Sequence, residues 1–137
     1  VVDGAGLEVL NEAECLQLLA GAPVGRIVFS DRALPAVLPV NFAVIENAVI
    51  IRTDARSRLA IAGTNTVVAF EADEFSSRPS RSAWSVVAVG MATEVSVPAD
   101  LDAIRRLGLH PWASGAKEYY LRMDIETITG RRLHASG

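Results

Sequence analysis

Six runs of this chain, residues 24–30, 34–46, 49–52, 66–71, 84–97 and 119–129, are rich in β-branched and aromatic side chains, with turn pairs such as Asp31-Arg32 and Glu46-Asn47 between them. Alternation is clearest in Trp84-Ser85-Val86-Val87-Ala88-Val89-Gly90-Met91, the pattern of a strand with one face covered. Strands joined by short turns pair antiparallel. Six of them at this spacing predict a mainly β fold with short helices, a six-stranded antiparallel β-barrel. Gly90, inside the longest run, predicts a bulge or sharp bend of the kind a barrel corner needs. At 137 residues, with no internal repeat or compositional break, one domain over 1–137 is expected, its core at about 11–133.

Helical signals interrupt the strands. Asn11 and Glu14 stand at capping-box spacing before Leu16, Leu18 and Leu19, with Leu10 placed to staple from outside, and Gly21-Ala22-Pro23 ends that helix. A short helix is expected over 56–63, and another over 98–107, with Asp100 and Asp102 near its start and Arg105 and Arg106 near its end. Cys15 reads as a core residue of the first helix. As the single cysteine it allows no disulfide within the chain and no cysteine-ligated zinc, which suits a reducing compartment. A net charge of −3 gives no global attraction to nucleic acid or to an acidic membrane surface. The opening residues lack the basic start and apolar core of a signal peptide, and no segment reads as a membrane span, so a cytoplasmic protein is expected.

Chemistry concentrates in Ile50-Ile51-Arg52-Thr53-Asp54-Ala55-Arg56-Ser57-Arg58-Leu59, where an apolar strand runs into a cationic, hydroxyl-bearing turn. Arg52 and Thr53 at the strand end, with Ser57 and Arg58 opening the next helix, would converge on an anion such as a phosphate. The plain alternative is that the arginines are solvated turn residues. Other chemistries have little support. His110 and His134 stand in no metal-ligand spacing, so no metal is expected; Ser30 and Ser85 have no nucleophile-elbow glycines; and neither Gly-x-Gly-x-x-Gly nor a Walker loop is present.

The order of motifs resembles a known family. A helix, then Val24-Gly25-Arg26-Ile27-Val28-Phe29, Leu38-Pro39-Val40-Asn41-Phe42, Arg52-Thr53 followed by Ser57-Arg58-Leu59, Val68-Ala69-Phe70-Glu71-x-Asp73 and Trp84-Ser85-Val86-Val87-x-Val89-Gly90 look like the pyridoxamine 5′-phosphate oxidase-like flavin-binding split barrels. Trp112, Tyr119 and Ile125-x-x-Ile128-Thr129-Gly130-Arg131-Arg132-Leu133 resemble the small bacterial branch, so the likeness covers about 11–133. It implies a flavin mononucleotide (FMN) phosphate held by Arg52, Thr53, Ser57 and Arg58. The flavin ring would lie along Pro39, Val40 and Asn41 and near Trp84 and Ser85. Pro39 also reads as an edge-strand proline and Trp84 as simple core.

A flavin carries its own redox centre, so the resemblance implies an FMN-dependent oxidoreductase acting on a small molecule and equally permits a non-catalytic flavin-binding or sensing module. Sister groups on the same fold use the deazaflavin coenzyme F420, whose phosphate site would look much the same, and a haem reading finds no obvious histidine pocket. Arg132-Leu133-His134 resembles the Arg-x-His substrate motif of true pyridoxamine phosphate oxidases, yet also suits a plain strand end. A barrel this small implies a homodimer with cofactor at the interface and Trp112 as the partner-side wall, unless Trp112 covers its own barrel end.

Overall fold

The computed structural model describes residues 1–4, 6–77, 81–110 and 117–134, with His134 described by its backbone only. Eight antiparallel strands and three helices make up the described residues: β1 (Glu8–Val9), α1 (Glu12–Gly21), β2 (Gly25–Asp31), β3 (Leu34–Val40), β4 (Phe42–Ile45), β5 (Ala48–Asp54), α2 (Arg58–Gly63), β6 (Thr66–Ser76), β7 (Ser82–Glu94), α3 (Pro98–Arg105) and β8 (Glu118–His134). The sheet runs β3-β2-β6-β7-β8-β5-β4, with β1 beside β8. This is the split-barrel class expected from sequence, with two strands more than the six expected. The run 34–46 breaks at Asn41, because β3 pairs with β2 while β4 turns away to pair with β5. The two-residue β1 has no pattern of its own and exists by pairing with Arg131 and Arg132 of β8.

The long β7–β8 pair is the backbone of the sheet. Its register slips between Val89 and Gly90, where Val89 faces Thr127 and Gly90 faces Ile125. A Cβ at Gly90 would overlap the carbonyl oxygen of Asp124. The bulge expected at Gly90 is therefore a point where two backbones meet with no room for a side chain. Gly130 plays the same part for helix packing: a Cβ there would lie 2.7 Å from Cys15 Sγ. That close approach seats α1 on β8, with Cys15 and Leu19 fully buried. The capping box closes the helix start, as Asn11 Oδ1 accepts the Glu14 amide at 2.9 Å and Glu14 accepts the Asn11 amide at 3.3 Å.

Apolar burial falls into two clusters. The main core includes Val49, Ile51, Phe70, Val86, Ala88 and Met123, while a smaller one under α3 holds Ile50, Val95, Ile104 and Tyr120. Both faces of β5 are thus covered, its odd residues by the first cluster and Ile50 by the second. No helix among the described residues is long and apolar enough to cross a membrane.

Replacing Gly90 by alanine must push apart β7 and β8 at the slip, so Gly90→Ala is expected to cost about 3 kcal/mol or more in urea unfolding. Gly21→Ala, with open space around its Cβ position, should stay within about 0.5 kcal/mol of the parent.

Candidate functional site

The junction between β5 and α2 is built by its own turn. Asp54 accepts the Arg56 amide at 2.7 Å and the Arg56 guanidinium at 2.9 and 3.1 Å, its carbonyl accepts the Ser57 amide at 2.9 Å, and its second oxygen takes the Lys117 amide at 3.2 Å. The Arg56 side-chain bond, helped by the backbone amides, holds the Asp54 carboxyl well below the usual carboxylate range. Asp54 is the organiser that the sequence analysis passed over. Its signal was available, since an aspartate two residues ahead of a turn amide is the Asx-turn pattern.

Ser57 then caps α2, its Oγ accepting the Ala60 amide at 3.0 Å and the Thr53 hydroxyl at 3.0 Å. Both acceptor positions of Ser57 are filled, which leaves its own O–H as a donor. Arg58 follows with a side chain 85% exposed and only a loose 3.7 Å contact to Asp31. It borders a groove of about 710 Å³ between α2 and the β2–β3 hairpin, lined also by Arg32, Leu34 and Ile61. The hairpin turn holds Arg32 and Ala33 at φ values of 53° and 66°, a left-handed pair that matches the strand twist.

Arg52 does not join this group, contrary to the convergence expected from sequence. Consecutive strand residues point to opposite faces. Thr53 lies opposite Tyr119, which packs on the main core, whereas Arg52 lies opposite Tyr120 in the smaller cluster. Its guanidinium sits 5.8 Å over the Tyr120 ring and donates to the Leu109 carbonyl at 2.9 Å.

The other residues singled out in the sequence are spread across the sheet. Pro39 lies on the edge strand β3 opposite Arg26, Val40 is buried in the main core, and Asn41 sits in the break before β4 with its amide donating to the His110 carbonyl. Trp84 packs against the main core from β7, while Ser85 is exposed between Asp73 and Arg131. Strands β2 and β6 stand between β3 and β7, and the residue of β7 in the row of Pro39 is Val87, so Pro39 and Trp84 are three strands apart across the sheet and offset by a further three residues along it. Trp112 lies outside the described residues. Arg132 is engaged by Glu8 at 3.4 Å and Glu14 at 3.7 Å, and His134 faces Ser82 in the β7–β8 register. Among the described residues no group of three or more His, Cys, Asp or Glu is placed to hold a metal ion.

Residues 11–132 match the family model for pyridoxamine 5′-phosphate oxidase. The chain belongs to that family. An uncharacterized protein of Mycobacterium tuberculosis, Rv0080, is 40% identical over 131 residues, covering 92% of this chain and 85% of the relative. Among solved structures, an FAD binding protein from Mycobacterium smegmatis is 35% identical with a TM-score of 0.80, covering 93% of this chain and all of that one. A conserved protein of unknown function from Corynebacterium diphtheriae is 28% identical with a TM-score of 0.77, over 94% of this chain and 98% of that one. The family thus supplies flavin-binding neighbours, and the split barrel is common to them.

The depressed Asp54 carboxyl sets a pH test. Its folded-state value lies below the unfolded one, so its contribution is present above the ordinary carboxylate range and is lost as pH falls through the depressed value. The difference in thermal midpoint between the parent and Asp54→Asn should be constant from about pH 7 to pH 5 and shrink toward zero below about pH 4.

Proposed function

We propose that this family member is a flavin-dependent oxidoreductase that holds its cofactor by the phosphate at Thr53, Ser57 and Arg58. The observation that carries the reading is the Ser57–Arg58 corner. Arg58, 85% exposed, borders the groove between α2 and the β2–β3 hairpin, and Ser57, next to it in sequence, has a hydroxyl whose proton is free to donate. A similar solved structure is an FAD binding protein. That donor set fits an oxyanion, since guanidinium and hydroxyl donors suit phosphate oxygens. A bound flavin supplies hydride acceptance at its own ring, which leaves the chain to bind, orient and shield it. FMN is the cofactor we assign. FAD and coenzyme F420 present a phosphate in the same way, and the cofactor's mass distinguishes the three.

The ring would lie along Pro39 and Val40, with Asn41 at its end, and Trp84 and Ser85 would meet it from a second copy of the chain. Separation of these two sets by β2 and β6 supports a composite site in a homodimer. So does the outer sheet face, where Val37 (56% exposed), Val67 (56%) and Phe75 (65%) stand with Val87 and Met91, an apolar surface of the kind partners cover. Trp112 keeps its proposed place as the partner-side wall on its chemistry alone. The buried lone Cys15 suits work in a reducing cytoplasm. Arg132, engaged by Glu8 and Glu14, favours a substrate other than pyridoxamine phosphate, because a phosphate would have to displace two carboxylates.

The purified protein should show a flavin absorbance spectrum, and light scattering should give twice the 14.6 kDa chain mass. Charge-assisted bonds contribute about 1.5–3 kcal/mol, so Arg58→Ala should weaken FMN binding roughly tenfold to a hundredfold and leave riboflavin, which has no phosphate, unchanged. Repeated turnover with a reduced nicotinamide and a second acceptor marks an oxidoreductase; stoichiometric reduction alone marks a flavin carrier. A colourless protein that takes up no flavin at micromolar concentration ends this reading.

A further inference from the structure

Arg52 and Asn41 were both expected at the cofactor, yet both commit donors to one short stretch of backbone. Arg52 Nη1 donates to the Leu109 carbonyl at 2.9 Å, and Asn41 Nδ2 donates to the next carbonyl, that of His110. The donors come from β5 and from the break between β3 and β4; the acceptors lie just after α3.

The surroundings of Arg52 belong to the same device. Its Nε is buried with no hydrogen-bond partner among the described residues, and its guanidinium lies over Tyr120, whose hydroxyl donates to Glu118 at 3.4 Å. Glu118 also accepts Arg105, in the last turn of α3, at 2.7 Å. An arginine that leaves a donor unmet indoors is held there by its other contacts, since an unsatisfied buried N–H costs free energy. The Leu109 bond and the Tyr120 ring are the contacts that hold it. Together these groups lock the end of α3, the segment after it and the start of β8 onto β5.

We propose that Arg52 is a positioning residue, assisted by Asn41: it fixes the Leu109–His110 backbone beside the β3–β4 break and makes no contact with the cofactor phosphate. Strand geometry requires the second half of this statement, because Thr53 and Ser57 occupy the opposite face of β5 from Arg52. The first half follows from the two hydrogen bonds. What the fixed segment serves rests on the flavin reading. Asn41 belongs to the stretch proposed to line the ring, so loosening the segment disturbs the ring end of the site and leaves the phosphate end alone.

The discriminating experiment measures affinity for FMN and for riboflavin in three proteins: the parent, Arg58→Ala and Arg52→Ala. Arg58→Ala should lose FMN affinity alone. Arg52→Ala should lose affinity for both flavins by the same factor, with their ratio within about twofold of the parent's, because each bond lost lies away from the phosphate. A selective loss of FMN in Arg52→Ala makes Arg52 a phosphate ligand and overturns the proposal. So does unchanged binding of both flavins.

A second readout needs no flavin. Amide hydrogen exchange across Leu107 to His110 should accelerate about tenfold or more in Arg52→Ala and in Asn41→Ala, with β2 and β6 keeping the parent's protection. Unchanged exchange in both variants overturns the proposal. Should the parent bind no flavin, the functional reading fails by itself, and the exchange measurement decides the positioning role.

Discussion

Strand β5 is covered on both sides, and the arrangement of the site follows from that one constraint. Val49 and Ile51 enter the main core while Ile50 enters the smaller cluster under α3, so the strand can neither slide nor roll by a residue without exchanging two packed surfaces. When the chain leaves the buried stretch, the alternation persists for two more residues. Thr53 is delivered to Ser57 and the start of α2; Arg52 is delivered to Tyr120 and the segment after α3. Residues adjacent in sequence thereby serve different ends of the fold.

Electrostatics refines what the strands set out. Asp54 gathers two backbone amides and one guanidinium, and that gathering shapes the turn on which Ser57 and Arg58 stand. On the outer sheet face Arg26 bridges Glu71 at 3.0 Å and Asp73 at 3.5 Å across β2 and β6. Burial raises the Glu71 carboxyl first, and the neighbouring Asp73 adds to it, while Arg26 opposes both. The same strand row carries Pro39 on one side and Val87 on the other. A charged knot thus sits on the outer sheet face between Pro39 and Val87.

Much of the fold was legible because local rules and tertiary needs agree. Asn11 and Glu14 announced a helix start and form it; Gly90 announced a bulge, and the slip lies there, because no other residue lets Asp124 come so near. The misreadings have a common origin. Splitting of the run 34–46 at Asn41, and the existence of β1, depend on which strand each piece pairs with, and partners distant in sequence leave no trace in a local pattern.

The sequence by itself determined the class of the fold, its helix caps, the position of the bulge, and the corner where Thr53 meets Ser57 at the start of α2, because period, capping and turn chemistry act within a few residues. Tertiary structure alone decided that Arg52 faces away from that corner and holds Leu109, that Asn41 holds His110, and that Arg132 answers to Glu8 and Glu14. A guanidinium carries the same charge wherever it points. Which carbonyl or carboxylate stands opposite it is set by strands and helices many residues away, brought together by burial of the two cores.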